Sequence, residues 1–279
     1  MYIVIPIFSD GFIHQLHEKN KLSLLYVKQL GGVGKMLQIN HMDTLEKDSY
    51  DFLIDSTIIT TDAKKLLTIH PFKNVYDINI LNWWIDNKPL SEDVKNNAID
   101  YMNNKYYNMK NVNYIIPSVK HLEWCDEVSK DIEQVWAKKD TIDFEHYKRY
   151  NEEVVVAFTS IEKHGVKVVD NICDIFDIRV KKHISDGKLY SNYNLTTSTG
   201  RPSNAFGTVN FAALNNAQRR AFVPKNDLLV EYDYDAYHLR LIGDFIGYKF
   251  PQASVHEYLA SFYGSTYEES KQITFKLLY

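Results

Sequence analysis

The sequence predicts an α/β fold, on three observations taken in chain order. Over about the first 80 residues, short runs rich in Ile, Val, Leu and Tyr alternate with Gly, Asn and Asp, the spacing of strands and turns. Between residues 91 and 165, apolar residues recur at three- and four-residue intervals, the period of amphipathic helices. Near the end, the apolar run Leu228-Leu229-Val230 leads to Asp233, and three more helical patterns follow. With 279 residues, 45% of them hydrophobic, the chain can bury a sizeable core as two units or one elaborate one.

The strand-like runs are Tyr2 to Phe8, Leu22 to Val27, Met36 to Ile39, Asp51 to Ile54 and Val75 to Ile80, which suggests a small sheet with one or two helices. Ser91 is placed as an N-cap, with Glu92 and Asp93 in the first turn, for a helix reaching Tyr107; Pro117-Ser118 opens another toward Ala137. The next helix starts near Asp140 or Thr141 and puts Tyr147, Tyr150, Val154, Val155, Phe158 and Ile161 on one face before Gly165 ends it. That face is ordinary core packing. Beyond it the pattern predicts a strand from Lys188 to Tyr193, a polar turn from Thr196 to Asn204, a strand into Asp233, and helices at 235–246, 253–263 and 266–279.

A formal net charge of −4 excludes a uniformly basic surface, so any nucleic-acid contact must come from a local basic face. Twenty Tyr and fourteen Phe supply flat rings suited to packing and to base stacking alike. The two cysteines, Cys125 and Cys173, fit a reduced compartment and form no zinc spacing. The apolar start Met1 to Phe8 has neither the charged leader nor the cleavage site of a signal peptide and reads as a buried strand. No apolar run approaches the roughly 20 residues that span a bilayer, so a soluble, cytoplasmic protein without membrane contact is expected.

Four motifs carry candidate chemistry. Gly31-Gly32-Val33-Gly34-Lys35 invites a phosphate-loop reading, but Gln29 and Met36 stand where that loop needs Gly and Ser or Thr, which leaves a hairpin turn. Thr197-Ser198-Thr199-Gly200-Arg201-Pro202-Ser203-Asn204 gathers hydroxyls, a flexible glycine and a guanidinium in one turn, a combination that suits contact with a sugar-phosphate backbone. Asp233, at the end of the apolar run, delivers a carboxylate to a turn. Asp233 and the peptide oxygen of Tyr234 are the hard donors that Mg²⁺ prefers, whereas Asp235 is suited to capping a helix. Lys271, Phe275 and Tyr279 recur every fourth residue and so share one helical stripe, a cation with two rings, each step roughly 6 Å.

Thr-x-Thr-Gly-Arg-x-Ser, Val-x-Tyr-Asp-Tyr and Lys-x-x-x-Phe-x-x-x-Tyr, in this order, resemble the polymerase domain of family A DNA polymerases, the bacterial DNA polymerase I group. Ile161-Glu162-Lys163-His164-Gly165-Val166 is similar to that family's Met-Glu-x-x-Gly-Val, and Arg219-Arg220-Ala221-Phe222-Val223 and Val255-His256 also fall in step, so the resemblance covers roughly 150–279. It implies that Asp233 is the first catalytic metal ligand of a palm holding two Mg²⁺, with Tyr234 adding its backbone carbonyl. It further implies that Lys271 holds the triphosphate of an incoming dNTP, Phe275 borders the sugar and Tyr279 the templating junction, and that Thr199, Arg201 and Ser203 contact primer-template DNA, Arg201 in the minor groove.

The departures are specific. His238 stands where the family has a glutamate that excludes a ribose 2′-hydroxyl, Tyr267 where the fingers helix has an arginine, and the interval from Gly165 to Thr199 is too short for the usual thumb. Residues 1–115 occupy the place of the proofreading exonuclease, an RNase H-like fold, but contain no Asp-x-Glu pair. The family's second metal-binding aspartate, in a His-Asp-Glu turn, is also absent.

The expected organisation is therefore a degenerate 3′–5′ exonuclease-like domain (1–115), a helical connection with reduced thumb (116–186), and the first part of the palm with the start of the fingers (187–279). The expected function is that of the N-terminal part of a DNA-directed DNA polymerase, a nucleotidyltransferase inactive as this chain alone. The remainder is either on a second polypeptide or missing from this sequence. A phage or bacterial origin follows from the resemblance, with the host cytoplasm as location if phage-encoded. The alternative is a non-catalytic DNA-binding or scaffold protein derived from a polymerase, with a nuclease as a third reading.

Overall fold

Ile3, Val4 and Ile5 are all buried although successive residues of a strand point to opposite faces, so their strand has protein on both sides. This strand, β1 (Tyr2–Phe8), pairs antiparallel with β2 (Leu22–Gln29), which pairs antiparallel with β3 (Gly34–Gln38). The chain continues through α1 (Asp51–Ile54), β4 (Thr57–Thr60), α2 (Ala63–Ile69), β5 (Asn74–Asp77) and α3 (Ile78–Asp86). β4 lies parallel to both β1 and β5, which gives a mixed five-stranded sheet in the order β3-β2-β1-β4-β5. The computed structural model describes residues 1–8, 14–18, 20–38, 50–86, 119–176, 178–198, 200–205, 208–230 and 232–278. The helix expected from Ser91 to Tyr107 and the opening at Pro117-Ser118 lie outside them.

The glycine-rich loop is the hairpin turn between β2 and β3, as its failed phosphate-loop pattern predicts. Gly31 has φ +74°, and a Cβ on Gly34 would collide with the Tyr26 ring. Two expected strands differ. Asp51–Ile54 is a helical turn, because a four-residue run carries no decisive period and β4, four β-favouring residues beginning at Thr57, takes the place in the sheet. The run from Val75 stops as a strand at Asp77, whose carboxylate accepts the N–H groups of Asn79 (2.9 Å) and Ile80 (3.2 Å) and so starts α3.

α4 (Val119–Ala137) lays Cys125, Val128, Ile132, Val135 and Trp136 into the main core. The long helix that follows is α5 (Phe144–Tyr150), a π turn (Asn151–Val155) and α6 (Val156–His164). The π turn inserts an extra residue, so the buried stripe runs Tyr147, Asn151, Val155, Thr159, Glu162 rather than through Ile161, which is half exposed. Asn151 explains its position: its side chain accepts the Asp77 N–H and donates to the Val75 carbonyl, while the Tyr147 hydroxyl donates to the Asp77 carbonyl (2.9 Å).

After Gly165 come β6 (Val166–Lys167), α7 (Ile172–Ile175), β7 (Ile184–Ser185) and β8 (Lys188–Leu189), the strands forming a small sheet in the order β6-β8-β7. A second core of Val168, Ile172, Val180, Leu189, Val209 and Ala221 lies beneath it. The strand expected over 188–193 is split between β8 and β9 (Tyr193–Asn194); β9 pairs with β10 (Ser203–Asn204), and α8 (Asn216–Arg219) follows. The chain divides into two compact units, Met1–Lys225 and Asn226–Tyr279. The second holds α9 (Tyr237–Phe245), α10 (Val255–Tyr263) and α11 (Tyr267–Leu278), close to the predicted bounds. No helix among the described residues is long and apolar enough to cross a membrane.

Candidate functional site

In the second unit, the segment before Asp233 is not the expected strand: no ladder pairs it among the described residues, and Leu228, Leu229 and Val230 are each more than half exposed. β-branched and leucine residues favour a strand only where a neighbouring strand can accept their backbone groups. Asp233 is exposed, and its Oδ1 accepts the N–H of Tyr234 (2.9 Å), an arrangement that fixes the carboxylate against its own turn. Tyr232 and Tyr234, 93% and 78% exposed, flank it with rings open to solvent.

Asp235 does not cap the helix that follows it. Its Oδ2 accepts the N–H of Val255 (3.0 Å) at the start of α10 and the Nη2 of Arg240 (2.8 Å). Arg240 in turn donates Nε to the Asp235 carbonyl (3.0 Å), Nη1 to the Pro251 carbonyl (3.1 Å) and Nη2 to the Ala253 carbonyl (3.0 Å). Partial burial alone would raise the Asp235 pKa, but the Val255 N–H and the guanidinium outweigh it and hold the group below the usual carboxylate range. Ala236 takes the left-handed conformation (φ +47°) and directs the chain into α9.

Beside this clamp is a cleft of about 150 Å³ lined by Ala236, Tyr237, His238, Leu239, His256, Thr274, Phe275 and Leu278. Two of the sequence-predicted nucleotide residues, His238 and Phe275, thus meet in one cleft, and Lys271 lies one helical turn before Phe275 on α11. α11 owes its start to a reciprocal cap: the Glu269 N–H bonds to the Thr266 hydroxyl (3.3 Å), and the Glu269 carboxylate accepts the Thr266 N–H (2.9 Å). Its buried seam is polar, with the Ser270 hydroxyl donating to the His256 carbonyl (3.0 Å) and the Thr274 hydroxyl to the Ser270 carbonyl (2.8 Å). Tyr267 stands edge-on to the His256 ring, centroids 5.9 Å apart. Tyr279 lies outside the described residues.

The hydroxyl-rich turn belongs to the first unit. Gly200 has φ +70° and donates its N–H to the Thr197 carbonyl (3.0 Å), and the Thr197 hydroxyl donates to the Arg201 carbonyl (2.7 Å). Exposed Arg201 and Ser203 are carried at the base of β10, and Thr199 lies outside the described residues. Asn204 holds the turn from below, its Nδ2 on the Ser191 hydroxyl (2.8 Å) and its Oδ1 on the Phe211 N–H (3.0 Å). Glu162 anchors the same region from α6. Its side chain is 1% exposed, it accepts the N–H of Tyr193 (2.7 Å), and it pairs with Lys64, which also donates to the Tyr193 carbonyl. Burial raises the Glu162 pKa against the opposing pull of Lys64. The sequence marked Glu162 as part of a motif but gave no sign of Lys64, because their contact spans 98 residues.

The donor set does not fit two Mg²⁺ ions by itself. Among the described residues no three His, Cys, Asp or Glu side chains come together, and Asp233 offers one carboxylate, one oxygen of which already accepts a hydrogen bond. In the first unit, Asp62 lies just past the end of β4 and Asp77 is the last residue of the neighbouring parallel β5, but both are committed to the backbone. Asp62 caps α2 through the Lys65 N–H (3.0 Å), and Asp77 accepts the Ala63 N–H (2.8 Å) besides its two bonds to α3.

No protein-family model matches the chain, and no curated protein matches it in sequence. Among solved structures it is similar to the POL domain of Pol1 from M. smegmatis, determined in complex with DNA primer-template and dNTP. The TM-score is 0.61 and the identity 14%, over 99% of this chain and 67% of that one. The chain thus spans about two thirds of the length of that solved chain, and in its fold it is similar to a DNA polymerase domain.

Proposed function

We propose that this chain is part of a DNA-directed DNA polymerase of the family A type, contributing the first part of the palm and the start of the fingers. The observation that carries the reading is the cleft between α9 and α11. His238 and Phe275, singled out by separate motifs, line it together, in a fold similar to a polymerase domain. In this reading the dNTP lies along α11, its triphosphate toward Lys271 and its sugar toward Phe275 and His238, and primer-template DNA meets Arg201 and Ser203. Asp233 and the Tyr234 carbonyl supply one side of a Mg²⁺ site. The remaining carboxylate comes from the part of the polymerase fold that this chain does not span, on a second polypeptide or a longer form of the chain. When bound, the metal would lower the barrier to attack of the primer 3′-hydroxyl on the α-phosphate.

The order β3-β2-β1-β4-β5, an antiparallel meander continued by two parallel strands, supports descent of the first sheet from an RNase H-like exonuclease. Its strand-end carboxylates have become caps. The short span between α6 and β9, whose described residues hold small strands, turns and the four-residue α7, is compatible with a reduced thumb. A second reading, a non-catalytic DNA-binding scaffold, is favoured by one observation, the incomplete donor set around Asp233.

Extension of a labelled primer on a longer template, with dNTPs and Mg²⁺, separates the readings when run with the chain alone and with a second polypeptide bearing a His-Asp-Glu turn. Extension only in the mixture, abolished by Asp233→Ala, is expected. Synthesis by the chain alone overturns the incomplete site, and a mixture indifferent to Asp233→Ala favours the scaffold.

A further inference from the structure

Residues 166–225 hold nine Lys and Arg against four Asp and no Glu, within a chain whose net charge is −4. The fold concentrates part of that excess. Lys167 of β6 lies directly opposite Lys188 of β8, and opposite residues of an antiparallel pair point to the same face. β8 pairs antiparallel with β7, and the turn entering β7 carries exposed Lys181 and Lys182. On the other edge of β6 runs the segment with exposed Arg220, tied by the Val169 N–H to the Ala221 carbonyl (2.9 Å) and the Val223 N–H to the Lys167 carbonyl (2.9 Å). The inner side is fixed by Leu189, Val168 and Ala221 in the second core, so the cations are held on a packed support.

Like charges directly opposite across a ladder repel, and no ion pair among the described residues involves Lys167, Lys181, Lys182, Lys188 or Arg220. The nearby acids are Asp170, Asp174, Asp186 in the β7–β8 turn, and exposed Glu18, whose N–H donates to the hydroxyl of Ser185 (3.2 Å), the residue opposite Lys188. We propose that this small sheet is a phosphate-backbone contact surface for duplex DNA, additional to the Arg201 turn; the choice of DNA as the polyanion rests on the polymerase reading. Adjacent strands lie about 4.8 Å apart, so cations on β6 and β8 and on the segments flanking the sheet cover on the order of 10 Å, a length over which a duplex presents several phosphates. Such a surface supplies grip without base readout, which a chain with a reduced thumb needs.

The test is the anisotropy of a labelled primer-template duplex titrated with the wild-type chain and with a variant carrying Lys167→Gln, Lys181→Gln, Lys182→Gln and Lys188→Gln, between about 50 and 200 mM salt. The expected result is a loss of roughly tenfold or more in affinity and a slope of log K against log salt smaller by about three to four. The corresponding Lys→Arg variant should keep both values near wild type, which excludes a folding defect. A Gln variant that binds with wild-type affinity and slope overturns the surface while leaving the polymerase reading in place; a wild-type chain that does not bind the duplex overturns both. Lysine-dependent binding to phosphatidylserine vesicles in preference to the duplex overturns the assignment to nucleic acid.

Discussion

Glu162 and Lys64 form a pair whose value lies in being complete. Removing one partner leaves the other charge buried without compensation, so Glu162→Ala should lower stability by about 3–5 kcal/mol in urea unfolding, whereas Glu162→Gln combined with Lys64→Met should cost far less. His14 is a second residue whose burial has a measurable consequence. It lies stacked on Tyr190 (5.0 Å), and burial first, then His183, Lys65, Lys64 and His17, lowers its pKa to about 3 from 6.5. The folded group therefore binds a proton less readily than the unfolded one, and the stability that depends on neutral His14 is lost as pH falls from 6.5 toward 3. Between pH 7.5 and 4.5 this group should remove about 2–3 kcal/mol; His14→Phe should flatten that part of the pH profile, and an unchanged profile would contradict the assignment. Neither pair nor histidine was legible as such in the sequence, because the partners of each are distant along the chain.

At the level of elements, legibility followed how local the determining forces are. β1, β2, α4 and the three helices of the second unit were readable, since hydrophobic period and capping residues such as Thr266 and Ser254 set them within a few positions. The π turn was not, because it depends on Asn151 reaching the backbone of β5 from 76 residues away. The segment before Asp233 departs from the expected strand for a related reason: its composition favours a strand, but pairing requires a neighbour. Gly165 tests a feature that was legible. With φ +58° and Tyr190 Cε1 2.9 Å from where a Cβ would stand, Gly165→Ala should lower stability by about 1–3 kcal/mol, seen as a lower Tm. Thr266→Ala removes the cap of α11 and should cost about 0.5–2 kcal/mol, with faster amide exchange confined to the first turn of that helix.

For the whole molecule, the order of three motifs along the sequence pointed to a polymerase fold, and the similarity to a POL domain over 99% of the chain agrees with that coarse expectation. The site was legible only in part. His238 and Phe275 meet in one cleft, but the Asp235–Arg240 clamp beside it emerges only when the turn, α9 and the start of α10 are folded together. In the proposed function the chain serves binding: DNA through the first unit, nucleotide along α11, with catalysis dependent on further carboxylates. The most direct check is the anisotropy of a labelled primer-template with a dideoxy-terminated primer, measured with Mg²⁺ and either the next complementary dNTP or a mismatched one. The account predicts that the complementary dNTP tightens the complex, and that Lys271→Ala abolishes the tightening while leaving binding of DNA alone unchanged. Binding that ignores the identity and presence of the dNTP would contradict it.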